Sequence, residues 1–198
     1  ALHATARRGV RQPPKRGLVV APVTDAGLAE RMNALMKETL GRTGGRFRPA
    51  PWDRLIELAG AHPRLSRIVG TFDPSVQGAE SLLAFARGEF HGNHATYAEA
   101  ASARGNGSNA CVAYAPAWEL IRWARDAGAA WFDFGGVSNG NAGSGDPLGG
   151  ISDFKRRFTK DEVTVGEEWV FEPQKVKAKL AAALSTAVGA ARRVLPGS

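Results

Sequence analysis

The chain has 198 residues, 43% hydrophobic and 23% charged, which suits a globular protein of one good-sized domain or two small ones. One cysteine, Cys111, excludes an internal disulfide framework, four scattered histidines give no metal-ligand spacing, and no apolar run nears the ~20 residues that cross a bilayer. The net charge of +7 leaves two readings open, attraction to polyanions or plain solubility charge, and its clustering in Arg7, Arg8, Arg11, Lys15 and Arg16 and again in Lys155, Arg156, Arg157 and Lys160 tilts toward the first.

Residues 1–16 read as a basic, extended lead-in, because Pro13 and Pro14 oppose a helix. They lack the apolar segment of a secretory signal, so a cytoplasmic location is expected. Gly17–Pro22 reads as a short strand. A helix capped by Thr24 or Asp25 should follow, with Leu28, Met32, Leu35, Met36 and Thr39 on one face and a stop at Gly41. A second helix near Pro51–Ala61 puts Trp52, Leu55, Ile56 and Ala59 on its buried stripe. Three strands come next, Leu65–Thr71, Ser81–Arg87 and His91–Ala98, the last two joined by a hairpin at Gly88–Glu89.

A glycine-bearing loop, Arg104–Asn109, precedes a helix over Cys111–Asp126. Ala130–Phe134 is a strand that runs into Gly135–Gly136, and a loop rich in Gly, Asn and Ser, Val137–Gly150, leads to a short basic helix over Ile151–Phe158. A strand over Val163–Phe171 and an alanine-rich helix over Lys175–Val194 close the chain. Helices before a meander, then alternating strands and helices, indicate an α/β protein with a mixed sheet. Residues 17–198 are expected to form one domain ending in that helix.

Three segments carry candidate chemistry. In Trp131–Gly136 (WFDFGG), an acid among aromatics at a strand end precedes two glycines. Gly135 and Gly136 suit a close backbone approach to a ligand, while Asp133 either caps the turn or serves the site. In Gly149–Phe158 (GGISDFKRRF), a lysine and two arginines follow a glycine-rich loop, either facing a phosphate or an oxyanion or forming a solvated basic face. Arg104–Asn109 (RGNGSN) matches in part the loop with which acetyltransferases cradle a pyrophosphate; a plain turn is the alternative. No nucleophile elbow or paired-cysteine motif is present, and Cys111 lies on an apolar face, so direct transfer is expected over a covalent intermediate.

Taken together, TLGRTGGRF (Thr39–Phe47), LLAFARGEFHGNHATYAEAAS (Leu82–Ser102), GAAWFDFGGVS (Gly128–Ser138) and GISDFKRRF (Gly150–Phe158) resemble, in order and spacing, the second half of the Fem-type (FemABX) aminoacyl-tRNA-dependent transferases. The resemblance implies a GNAT-like acyltransferase fold, with a mixed, central twisted sheet flanked by helices. It implies an aminoacyltransferase that moves an amino acid from aminoacyl-tRNA to an amine acceptor, a peptidoglycan precursor or a peptide natural product, without a cofactor. By the same resemblance Lys155 steadies the tetrahedral intermediate, Phe154 shapes its pocket, and Arg42, Arg46 and Tyr97 hold the acceptor. Arg156, Arg157 and Lys160 are the expected tRNA contacts, and Asp133 a candidate to take the amine proton. Family members carry two GNAT-like halves, and this chain has room for one. Two other readings stand beside it: an acyl-CoA-dependent N-acyltransferase using Arg104 and its loop, and a non-catalytic RNA-binding module.

Overall fold

The computed structural model describes residues 2–103 and 112–164. Its organising element is a five-stranded sheet of β1 (Val19–Pro22), β2 (Ser66–Phe72), β3 (Leu82–His91), β4 (His94–Ser102) and β5 (Trp131–Asp133), in that spatial order. The first four strands are antiparallel neighbours, and β5 joins β4 in parallel, so the sheet is mixed as the sequence indicates. The helices are α1 (Ala4–Lys15), α2 (Ala29–Arg42), α3 (Trp52–Ala61), α4 (Tyr114–Asp126) and α5 (Gly149–Arg156). All of these lie in one compact unit that ends at Asp161.

Side chains alternate across a strand, so each strand serves two cores. On one face Ile68, Phe85 and Ala101 pack with Met32 and Leu35 of α2 and Trp52, Ile56 and Ala59 of α3. The Trp52 and Phe85 rings meet edge to face at 4.9 Å. On the other face Val69 and Ala86 meet Leu120 of α4. A third cluster, Ala6, Tyr114, Ala117, Phe134 and Phe158, joins α1 and α4 to the chain around α5. The stripes expected for α2 and α3 are the ones buried here, and the Asp25 carboxylate accepts from Gly27 N–H at 2.8 Å, capping a 3-10 turn that leads into α2.

Three expectations need correction. Residues 4–15 are helical, not extended. Pro13 and Pro14 fall in the last turn of α1, where only the bonds to the Gly9 and Val10 carbonyls are lost, and burial of Ala6, Gly9 and Pro13 outweighs that loss. The β3–β4 hairpin turns at Gly92–Asn93, four residues later than expected. Gly92 takes φ +57 in the first position of a two-residue loop, while Gly88 stays inside β3 opposite Tyr97. And α4 begins at Tyr114, after a turn at Val112–Ala113. The Arg104–Asn109 loop, Cys111, the strand expected to run on to Phe171 and the closing helix lie outside the described residues. Among the described residues no helix is long and apolar enough to cross a membrane.

Candidate active site

β5 pairs with β4 over only three residues, from His94↔Trp131 to Thr96↔Asp133. Past Thr96 the two strands part. β4 continues to Ser102, whereas the chain after Asp133 turns away through Phe134, Gly135 and Gly136. At the same level β3–β4 pairing shifts: Arg87 faces Glu99 and Gly88 faces Tyr97, so Ala98 is bulged. A bulge re-aims side chains, and among the described residues nothing pairs with this edge of β4 past Thr96.

The turn after β5 is held by its own acid. Asp133 Oδ1 accepts from Gly135 N–H at 2.6 Å, and Gly135 sits at φ +72, where a side chain would be strained. Lys155 reaches this turn from α5. Its Nζ donates to the Gly136 carbonyl at 2.7 Å and lies where a Cβ on Gly135 would be 3.6 Å away. Burial pulls the Lys155 pKa below its ordinary value, and the Asp133 carboxylate opposes that pull. Asp133 therefore caps the turn, one of the two roles the sequence left open, and its charge lies near Lys155.

Phe154, next to Lys155 in the sequence, belongs to an aromatic cluster. Phe154 is 4.9 Å from Tyr114 and 6.3 Å from Tyr97, and Tyr97 is 5.3 Å from Phe134. Burial pushes the Tyr97 phenol up, so it keeps its proton at any working pH.

The glycine-rich loop between β5 and α5 is clasped by side chains of that helix. The Ser138 and Ser152 hydroxyls are 2.9 Å apart, and Ser152 Oγ also accepts from Ser138 N–H at 2.9 Å. Asp153 accepts from Ala142 N–H at 3.0 Å. Arg156 donates to the carbonyls of Ser138 at 2.7 Å and Gly140 at 3.2 Å. Asp146 is held ionised by the Ser138 hydroxyl and by backbone amides, first that of Leu148. Ser152, only 2% exposed, was not anticipated as a site residue; the signal was a serine on the inward side of a short helix directly after the loop.

Other anticipated residues fall elsewhere. Arg157 donates to the Tyr114 hydroxyl at 2.5 Å, and its carbonyl accepts from His3 N–H at 3.0 Å, so with Arg156 it is engaged in internal contacts, while Lys160 is exposed. Arg42 ends α2, its guanidinium donating to Thr39 Oγ1 at 3.2 Å, and Arg46 is exposed in the loop that follows. Both belong to the α2 side, whereas Tyr97 packs in the cluster around Phe154. Arg104 lies outside the described residues. Among the described residues no group of histidine, cysteine and acidic side chains could hold a metal.

No protein-family model matches the chain, and no curated protein does. Solved structures do. The crystal structure of FemX superposes with a TM-score of 0.59 at 17% identity, covering 78% of this chain and 53% of FemX. Glucosamine-6-phosphate N-acetyltransferase from Arabidopsis thaliana gives 0.47 at 11% identity, covering 77% of this chain and 99% of that one. An aminoglycoside acetyltransferase from an uncultured soil metagenomic sample gives 0.47 at 16% identity, covering 78% and 99%. This chain spans about half the length of FemX. It has a GNAT-like α/β fold: a mixed sheet of five strands between helices, similar to part of FemX.

Proposed function

We propose that this chain is an N-acyltransferase that moves an aminoacyl group from aminoacyl-tRNA to an amine acceptor by direct transfer. The observation that carries the reading is the Lys155 ammonium, set beside Asp133 at the turn where the chain leaves β5, on the helix whose Phe154 packs with Tyr97 and Tyr114. An aminoacyl ester is already activated, so the protein need supply position and charge rather than a nucleophile. The acceptor nitrogen attacks the ester carbonyl, a C–N bond forms, and negative charge gathers on the carbonyl oxygen near Lys155. The C–O bond to the terminal ribose then breaks, and the proton shed by the amine ends on the released ribose hydroxyl.

Asp133 keeps one carboxylate oxygen beyond the one that binds Gly135 N–H, and that oxygen is the candidate to relay this proton. Phe154 shapes the pocket for the acyl group, Gly135 and Gly136 let the donor approach the backbone, and Tyr97 is assigned to the acceptor. Lys160 is assigned to tRNA.

A second reading, transfer from an acyl-CoA on the same site, is favoured by the edge of β4 past Thr96, which pairs with no strand among the described residues and suits an extended, amide-bearing ligand. The two are separated by incubating the protein with acceptor amines and either mixed charged tRNAs or acetyl-CoA, then weighing the products. An aminoacyl mass gain with charged tRNA supports the proposal; an acetyl gain alone replaces it by the second reading.

A further inference from the structure

The helix that replaces the expected extended lead-in has two unlike sides. At 100° per residue, Ala6, Gly9 and Pro13 share one side of α1 and are buried, Ala6 within the cluster that holds Tyr114, Phe134 and Phe158. Arg8, Arg11 and Lys15 fall within an arc of roughly 60° on the opposite side, and all three are exposed. They form no ion pair among the described residues, and no acidic residue precedes Asp25 in the sequence. Arg7 and Arg16 flank the stripe: Arg7 donates to the Leu2 carbonyl at 2.6 Å, and Arg16 closes the helix.

The stripe stands close to the candidate site. Gly9 rests on Tyr114, whose ring is 4.9 Å from Phe154, the neighbour of Lys155, and His3 N–H bonds to the Arg157 carbonyl. A ligand on the outer face is therefore one helix thickness and one ring away from Phe154.

We propose that the Arg8–Arg11–Lys15 face of α1 is a docking surface for the phosphate backbone of RNA, placing the arm of the donor tRNA beside Lys155. The partner rests on the reading above; the surface itself does not. Charge complementarity selects a polyanion. The packing selects a nucleic acid over an anionic membrane, because a helix that binds at a lipid surface must insert an apolar face, and that face of α1 is spent on α4. This also moves the expected tRNA contacts from Arg156 and Arg157, which hold the protein together, to a helix with free charges.

The test measures binding, not transfer. Uncharged mixed tRNA is titrated against the wild-type chain, Arg8→Gln/Arg11→Gln/Lys15→Gln, and a control that removes as much exposed charge elsewhere, Arg48→Gln/Arg54→Gln/Arg64→Gln, across a range of salt. Glutamine is a helix former close to arginine and lysine, and thermal melting checks that the fold is kept. The expected result is a loss on the order of tenfold or more for the α1 variant, with a salt slope shallower by about 2–3, near 0.9 for each phosphate contact removed. The control should lose far less, and phosphatidylglycerol vesicles should bind more weakly than tRNA. Equal losses in both variants, an unchanged α1 variant, or stronger binding to vesicles would each overturn the assignment. If the α1 effect holds while only acetyl-CoA serves as donor, the docking surface stands and the proposed donor falls.

Discussion

The Lys155 ammonium donates to the Gly136 carbonyl at 2.7 Å across the turn that follows β5. This bond fixes where the charge of α5 meets the end of the parallel strand pair, with Asp133 on the other side of the same turn. In the proposed reaction the developing oxyanion competes with Gly136 for that ammonium.

The ammonium is the working form, and burial has lowered its pKa. It is charged below that pKa and neutral above it, so transfer should fall as pH rises through a value lower than the ordinary lysine figure near ~10.4. Lys155→Arg stays charged throughout that range and should lose the alkaline limb, even where its rate is lower. Rates with a low-pKa acceptor amine, across pH 7 to about 11, give the profile. An identical limb in both proteins would assign it to another group.

The clasp on the glycine-rich loop predicts a second effect. Arg156→Ala removes charged hydrogen bonds to the Ser138 and Gly140 carbonyls, each worth about 1.5–3 kcal/mol in comparable settings. Amide exchange should rise across Val137–Leu148 before it rises in the sheet, and transfer should slow. Unchanged protection in that loop would show that Ser152 and Asp153 hold it without Arg156.

α1 depends on a close approach. A Cβ on Gly9 would lie 2.5 Å from Tyr114 Cδ2. Gly9→Ala gains up to about 1 kcal/mol of helix propensity, but overpacking a tight contact costs about 1–3 kcal/mol, so the clash should win. The variant should melt earlier than wild type; a stabilised protein would show that the α1–α4 contact is looser than drawn.

Tyr114→Phe isolates the bond that ties α4 to the end of α5. Tyr114 is 2% exposed, and its hydroxyl accepts from Arg157. Losing that partner should cost about 1–2 kcal/mol in urea denaturation, with the denaturant slope unchanged.

Much of this architecture was legible from local pattern. Met32 and Leu35 in α2, and Trp52, Ile56 and Ala59 in α3, sit at helical spacing, and periodicity alone finds them. The FDFGG and FKRRF segments pointed to a GNAT-like fold and brought Asp133, Gly135 and Lys155 together. What was missed depended on partners distant in sequence. Gly88 and Gly92 both look like turn residues, and only the pairing of His91 with His94 decides between them. Pro13 and Pro14 argue against a helix until Tyr114, a hundred residues on, supplies the surface that buries it. The engagement of Arg156 with Ser138 and of Arg157 with Tyr114 follows no spacing rule, so a run of basic residues reads as a nucleic-acid contact when half of it is internal.

In the proposed reaction Lys155 acts on the chemical step. Its most direct test is single-turnover transfer from saturating charged tRNA, wild type against Lys155→Ala, with tRNA affinity measured separately. The expected rate is lower by ~100-fold or more, the scale for losing one oxyanion donor, with affinity little changed. A variant that transfers at the wild-type rate, or one that loses affinity alone, would contradict it.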